Sequence, residues 1–150
     1  IRLGYLTTAS TPGVPYTLDQ AYPFIKRYRV AMGFPDILFE PEDAFVHLVN
    51  KQEQSNADIV LGLFPAAQSH KVDMVAINDD CKIREIQIKP TQTDLVYTWL
   101  IAVWSPRFTH FLHQNISNYA RTNTFNSTTA AASANNEIFM GASPLSGWHP

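Results

Sequence analysis

One cysteine, Cys81, in 150 residues leaves no partner for an internal disulfide and no thiolate set for a zinc site. Neither sign of charge dominates: 11 Lys and Arg stand against 13 Asp and Glu, a formal net charge of −2. Nothing in that balance draws the chain toward nucleic acid or an anionic membrane. Long apolar runs are missing as well. Residues 59–64 and 100–104 are strand-length, far below the roughly 20 residues that span a bilayer. No charged-then-apolar leader opens the sequence, and the expected location is cytoplasmic. What is present is 45% hydrophobic and 12% aromatic content with 16% charged residues, the balance of a modest soluble domain that can bury a core.

Composition divides the chain into three parts. It starts at Ile1 with no methionine, already alternating through Arg2-Leu3-Gly4-Tyr5-Leu6 like a strand in mid-domain, so the expectation is a fragment of a longer protein. Residues 1–113 carry the ordered, apolar patterning. Residues 114–136 are rich in Asn, Ser, Thr and Ala, have little to bury, and read as a polar flexible excursion. Residues 137–150 begin like another element and turn into a Pro, Ser and Gly tail, the expected truncated end. The Asn-x-Ser/Thr matches at Asn115 and Asn126 carry no meaning in a cytoplasmic chain.

Within the ordered part, helical and strand patterns alternate. Leu18, Ala21, Tyr22 and Ile25 are spaced for a helix over 17–28, interrupted by Pro23. Residues 30–34 read as a short buried strand. Pro41 suits the first position of a helix, with Glu42 and Asp43 in its first turn and Ala44, Phe45, Leu48 and Val49 on its apolar face. Residues 58–64 are apolar throughout, as in a strand covered on both faces. Residues 72–77 and 82–88 alternate around Asn78-Asp79-Asp80-Cys81 and read as a hairpin. Residues 95–104 form another long strand, and Ser105-Pro106 caps and opens a helix through His113. This order predicts an α/β three-layer sandwich with a mixed, mostly parallel sheet.

Ligands of such sheets sit where strands end. Asp36, in Gly33-Phe34-Pro35-Asp36, leaves an apolar strand as a lone carboxylate, suited either to a turn or to a divalent metal bridging phosphates. Lys89, before Pro90, ends the hairpin and could neutralise a phosphate or simply be solvated. Other constellations read as structural. His110 and His113 form a surface pair, Ser105 is a cap without a nucleophile elbow, and Asp79-Asp80 are turn residues. Trp99 and Trp104, five apart on a strand, are expected on opposite faces, with Trp99 either stacking on a sugar or filling core.

Taken together, Pro15-Tyr16-Thr17-Leu18-Asp19-Gln20-Ala21, Gly33-Phe34-Pro35-Asp36, the hairpin of residues 72–90 and Tyr97-Thr98-Trp99 resemble segments of the sugar-phosphate nucleotidyltransferases, the nucleoside-diphosphate-sugar pyrophosphorylases such as glucose-1-phosphate thymidylyltransferase. The resemblance covers roughly residues 1–113. It implies a Rossmann-like nucleotide-diphospho-sugar transferase fold, here incomplete, and transfer of a nucleotidyl group from a nucleoside triphosphate to a sugar 1-phosphate with release of pyrophosphate. It implies Mg2+ as cofactor, Asp36 as its ligand and catalytic residue, and Lys89 as the catalytic group on the sugar phosphate. Thr17 and Leu18 would meet the nucleotide base. Asp73, Lys89, Tyr97, Thr98 and Trp99 would line the sugar pocket. The implied partners are the two substrates, with no nucleic acid and no membrane, and a homo-oligomer is compatible with the reading.

Several positions depart from the family pattern. Thr17, Asp73 and Trp99 stand where familiar members carry glycine, and Ile88 where an acidic residue precedes the lysine. The family's glycine-rich phosphate loop has no match and would lie before Ile1. The second magnesium aspartate has no counterpart either, since Glu137 is the sole acidic residue in 95–150. The chain alone is therefore expected to be inactive. The alternative is a non-catalytic nucleotide-sugar-binding protein of the same fold. A glycosyltransferase of similar architecture would need an Asp-x-Asp pair at a strand end, and none is present.

Overall fold

The computed structural model describes residues 4–11, 13–122 and 140–145, with side chains omitted for 117–122. Residues 123–136 of the expected excursion, Asn126 and Glu137 lie outside the described residues. The element order is α1 (Val14–Gln20), α2 (Tyr22–Ile25), β1 (Val30–Gly33), α3 (Ala44–Ser55), β2 (Ile59–Pro65), β3 (Met74–Ile77), β4 (Ile83–Gln87), β5 (Tyr97–Trp104), α4 (Pro106–Thr122) and β6 (Met140–Pro144).

The sheet runs β4-β3-β5-β2-β6, with β1 also on β5. It is mixed, as the alternation of elements predicts, but the mostly parallel balance is corrected. β2–β6 is parallel, whereas β1–β5, β2–β5, β3–β4 and β3–β5 are antiparallel. The physical reason lies in β5, which runs against each of the strands beside it, β1, β2 and β3. The sheet stays open. The β3–β4 hairpin carries its tip to β6, where Ala142 N–H donates to the Cys81 carbonyl at 2.8 Å and Lys82 bridges Gly141.

Both faces of the sheet are covered. On one, Val60, Phe64, Leu100, Ile101 and Val103 meet Ala44 and Leu48 of α3, which sit one helical turn apart with Phe45 and Val49 beside them. On the other, Ile59, Leu61, Leu63, Ala102 and Trp104 meet Leu18 of α1, Phe108 of α4 and the hairpin residues Ile77, Ile83 and Ile86. This explains why β2 is buried along its length except at Pro65, and each large core side chain contributes about 1.5–3 kcal/mol. The strand's unbroken apolar run is the sequence signature of that double burial.

A β-bulge modifies the alternation. Gly62 pairs with Ile101 but Leu63 pairs with Trp99, so Leu100 is an extra residue in β5. Leu100 and Ile101 therefore enter the same core cluster. The parity shift also brings Trp99 to the Trp104 side, correcting the expectation that they face apart. Gly62 is required beside the bulge because a Cβ there would come within 2.5 Å of Ile101 Cγ1.

Other expectations change in detail. The 17–28 helix is two short helices meeting at Ala21, with Pro23 accommodated near the start of the second. β1 is a half-exposed strand, not a buried one, because β5 covers only one of its edges among the described residues. Pro41, Glu42 and Asp43 form a turn closed by Ala44 N–H to the Pro41 carbonyl at 3.0 Å, and helix α3 begins after it. Helix α4 continues to Thr122, well into the segment read as an excursion, because Ile116 reaches the interior and extends its apolar stripe. Met140–Pro144, read as part of a tail, is a strand against β2, with Ala142 fully buried. No helix among the described residues is long and apolar enough to cross a membrane.

Trp104 is buried with its indole N–H satisfied by Thr109 Oγ1 at 3.0 Å. Thr109→Val should leave that donor unpaired and cost about 1–3 kcal/mol in urea unfolding. A loss below about 0.5 kcal/mol would show that the bond contributes little.

Candidate functional site

The candidate site follows from the way two strands share one edge of β5. β1 ends with Gly33 opposite Ile101, and β3 begins with Met74 opposite Thr98. Both run against β5, so they lie in line along its edge and leave Trp99 and Leu100 between them. The bulge against β2 falls at the same two residues. Backbone hydrogen bonding is thus interrupted on both sides of β5 at one level, the kind of opening where a sheet can meet a ligand.

Several of the residues expected at a site belong to segments at this end of the sheet. The Gly33-Phe34-Pro35-Asp36 turn leaves β1 there, and Phe34 lies against Trp99 with ring centroids 6.1 Å apart. Asp36 is exposed in the turn. Asp73 precedes β3, and its carbonyl accepts the Thr98 hydroxyl at 2.8 Å, which fastens the start of β3 to β5. Thr98 is fully buried by this contact and acts as a strand tether. Met74 pairs with Gln87, so the end of β4 and Lys89 two residues on belong to the same end of the sheet. Lys89 is exposed and adopts φ 41, the left-handed region that a lysine enters at a cost. Tyr97 and Trp99 line the face that carries Leu61, Leu63 and Trp104.

The base-side residues are placed differently. Leu18 packs into the apolar face, as a core residue of α1. Thr17 is exposed, and its hydroxyl pairs with that of Thr11 at 2.6 Å. Neither lines the open hollow of ≈ 240 Å³ formed by Thr8, Ala9, Ser10, Thr11, Tyr16 and Gln20.

Two polar clusters missed by sequence reasoning hold the surrounding frame. Tyr22 stacks on His113 at 3.7 Å and its hydroxyl meets His110 Nδ1 at 2.9 Å, while His113 Nδ1 meets Asp19 Oδ1 at 2.7 Å. The two histidines lie at the surface, as expected, and also have specific partners. They fasten α1 and α2 to α4, since the three-residue spacing that puts them on one helix face points them at the N-terminal segment. At the opposite end of β2, buried Asp58 receives the Ser105 hydroxyl at 3.3 Å and Arg107 at 3.1 Å. Ser105 therefore spends its side chain on Asp58 while its carbonyl accepts the Thr109 N–H at 3.3 Å. Ser105-Pro106 signalled the helix start, but only the fold shows which carboxylate the serine meets.

No group of three His, Cys, Asp or Glu side chains that could hold a metal occurs among the described residues. Asp36 has no hydrogen bond or ion pair among them, so its carboxyl is available to a ligand. Magnesium keeps several waters and uses one or two carboxylates with substrate phosphates, and a single aspartate fits that requirement.

No family model matches the chain, and no curated protein matches it in sequence. Its fold is similar to that of a Bacillus anthracis protein assigned as a glucose-1-phosphate thymidylyltransferase, crystallised with sucrose, at TM-score 0.76 and 16% identity. The likeness covers 97% of this chain and 57% of that one, so the chain spans a little over half the neighbour's length. The fold is therefore nucleotidyltransferase-like.

Because Asp36 supports no neighbour among the described residues, Asp36→Asn should leave the thermal unfolding midpoint unchanged, whereas Asp58→Asn should lower it by several degrees. Equal shifts in calorimetry would show that Asp36 is a structural residue.

Proposed function

We propose that this chain is part of a sugar-phosphate nucleotidyltransferase, which joins a nucleoside triphosphate to a sugar 1-phosphate and releases pyrophosphate in nucleotide-sugar biosynthesis. The observation that supports the reading is the split edge of β5 in a nucleotidyltransferase-like sheet, with the Asp36 turn following β1 and Asp73 preceding β3 on either side of Trp99.

In this reading an oxygen of the sugar 1-phosphate attacks the α-phosphorus in line. The new P–O bond forms as the bond to the β-phosphate oxygen breaks, and pyrophosphate carries away the electron pair. Both reactants are anions, so catalysis rests on positioning and charge neutralisation. Lys89 holds the attacking phosphate with its ammonium, and its left-handed backbone sets the direction from which it approaches. Asp36 would hold Mg2+ together with the triphosphate oxygens, and the ion would neutralise charge there. Trp99 offers an apolar face to the sugar ring, with Tyr97 on the same side of the sheet. Thr17, exposed in the middle of α1, is the remaining base-side contact, and the partly buried Leu18 packs beneath it. A cytoplasmic location and Mg2+ dependence belong to this proposal.

The test is pyrophosphate release by the chain within its complete coding sequence, with magnesium, each nucleoside triphosphate and a panel of sugar 1-phosphates. Release that requires both a sugar phosphate and magnesium is expected. Asp36→Ala should then reduce turnover about a hundredfold or more. Lys89→Ala should chiefly raise the KM for sugar 1-phosphate, and Lys89→Gly should do the same without loss of stability, since glycine accepts the left-handed conformation freely. Nucleotide-sugar binding without release would favour a binding protein of the same fold.

A further inference from the structure

The split edge contains a buried polar atom that no described residue answers. Asp73 Oδ1 is buried and has no hydrogen-bond partner among the described residues, and the ion pairs among them involve Asp19, Asp43, Glu53 and Asp58 instead. A shielded carboxylate oxygen without a donor is costly, and such groups in native proteins call for an explanation. Asp73 as a whole is only partly buried.

Its surroundings narrow the complement. Extending the Met74–Thr98 register by one residue sets Asp73 opposite Trp99, and period-two alternation turns its side chain to the side of Val75, the face that Trp99 lines. On that extended register its cross-strand neighbour is an indole, whose single N–H makes no hydrogen bond to the Asp73 carboxyl among the described residues. The Asp73 carbonyl is already committed to Thr98. Lys89 makes no ion pair with it among the described residues. A carboxylate beside an indole is complementary to a cation on two independent grounds. A hydroxyl and an ammonium both hydrogen-bond a carboxylate, but only the ammonium adds the attraction of opposite charges, and the negative face of the indole attracts an ammonium directly.

We infer that the site takes a sugar phosphate bearing an ammonium group, with Asp73 and Trp99 as its specificity determinants. The inference rests on the nucleotidyltransferase reading for the phosphate end of the ligand and adds the class of sugar. An amino sugar answers the unpaired charge of Asp73, whereas a neutral sugar supplies only a hydroxyl.

Calorimetric titration of the chain with glucosamine 1-phosphate and with glucose 1-phosphate at pH 7 tests it. The amino sugar should bind about tenfold more tightly, the difference expected between charged and neutral donors. In Asp73→Asn, which keeps the shape and removes the charge, the ratio should fall close to one. Asp94→Asn, which removes an exposed charge elsewhere, should keep it. Equal affinities in the unmodified chain, or a preference that survives in Asp73→Asn, would overturn the amino-sugar assignment and leave the nucleotidyltransferase reading in place. If neither sugar phosphate binds while the chain remains folded by circular dichroism, both readings fall together.

Discussion

Strand β5 is the constraint on which the rest of the structure depends. Its backbone pairs with β2 along one edge and with β1 and then β3 along the other, while its side chains enter both core clusters. A strand used in this way cannot slip by one residue without exchanging its two apolar faces. The bulge at Leu100 resolves the conflict between straight pairing and close packing, and Gly62 is the residue whose missing side chain permits it. The opening between β1 and β3 falls at the same level. Packing and site geometry therefore have one origin.

Burial on both faces also explains where polar groups are found. The doubly covered central strands β2 and β5 carry no charged residue. Asp58, directly before β2, is buried, and it is answered by Ser105 and Arg107 at the start of α4. Asp19, Tyr22, His110 and His113 do the corresponding work on the other helical surface, fastening the short N-terminal helices whose own length gives them little independent stability. Asp36, Lys89 and Asp73 differ from these groups because nothing among the described residues uses their side-chain charge.

Much of the element order is legible in the residues. The apolar run at 58–64, the hairpin around Asn78-Asp79-Asp80-Cys81, the strand ending at Trp104 and the helix opened by Ser105-Pro106 all correspond to observed elements. They are legible because each rests on local physics: periodicity, turn formers and the backbone limits of proline. Asp36 and Lys89 could be nominated for a similar reason, since a charged residue directly after an apolar strand is visible in one dimension. The failures are non-local in origin. Leu100 as an inserted residue, the Trp99 and Trp104 facing, and the length of α4 each depend on a partner far away in sequence.

The amino-acid sequence by itself determined the kinds of elements, their order and the apolar faces that require covering, because these follow from side-chain chemistry at short range. It also set the candidate residues at strand ends. Only the tertiary structure decided that β5 runs against its neighbours, that β1 and β3 share one of its edges, and that Asp73 comes to stand beside Trp99 with an oxygen that no described residue answers. Strand direction, register and the satisfaction of a buried polar atom are properties of pairs of segments, and a pattern along one segment does not contain them.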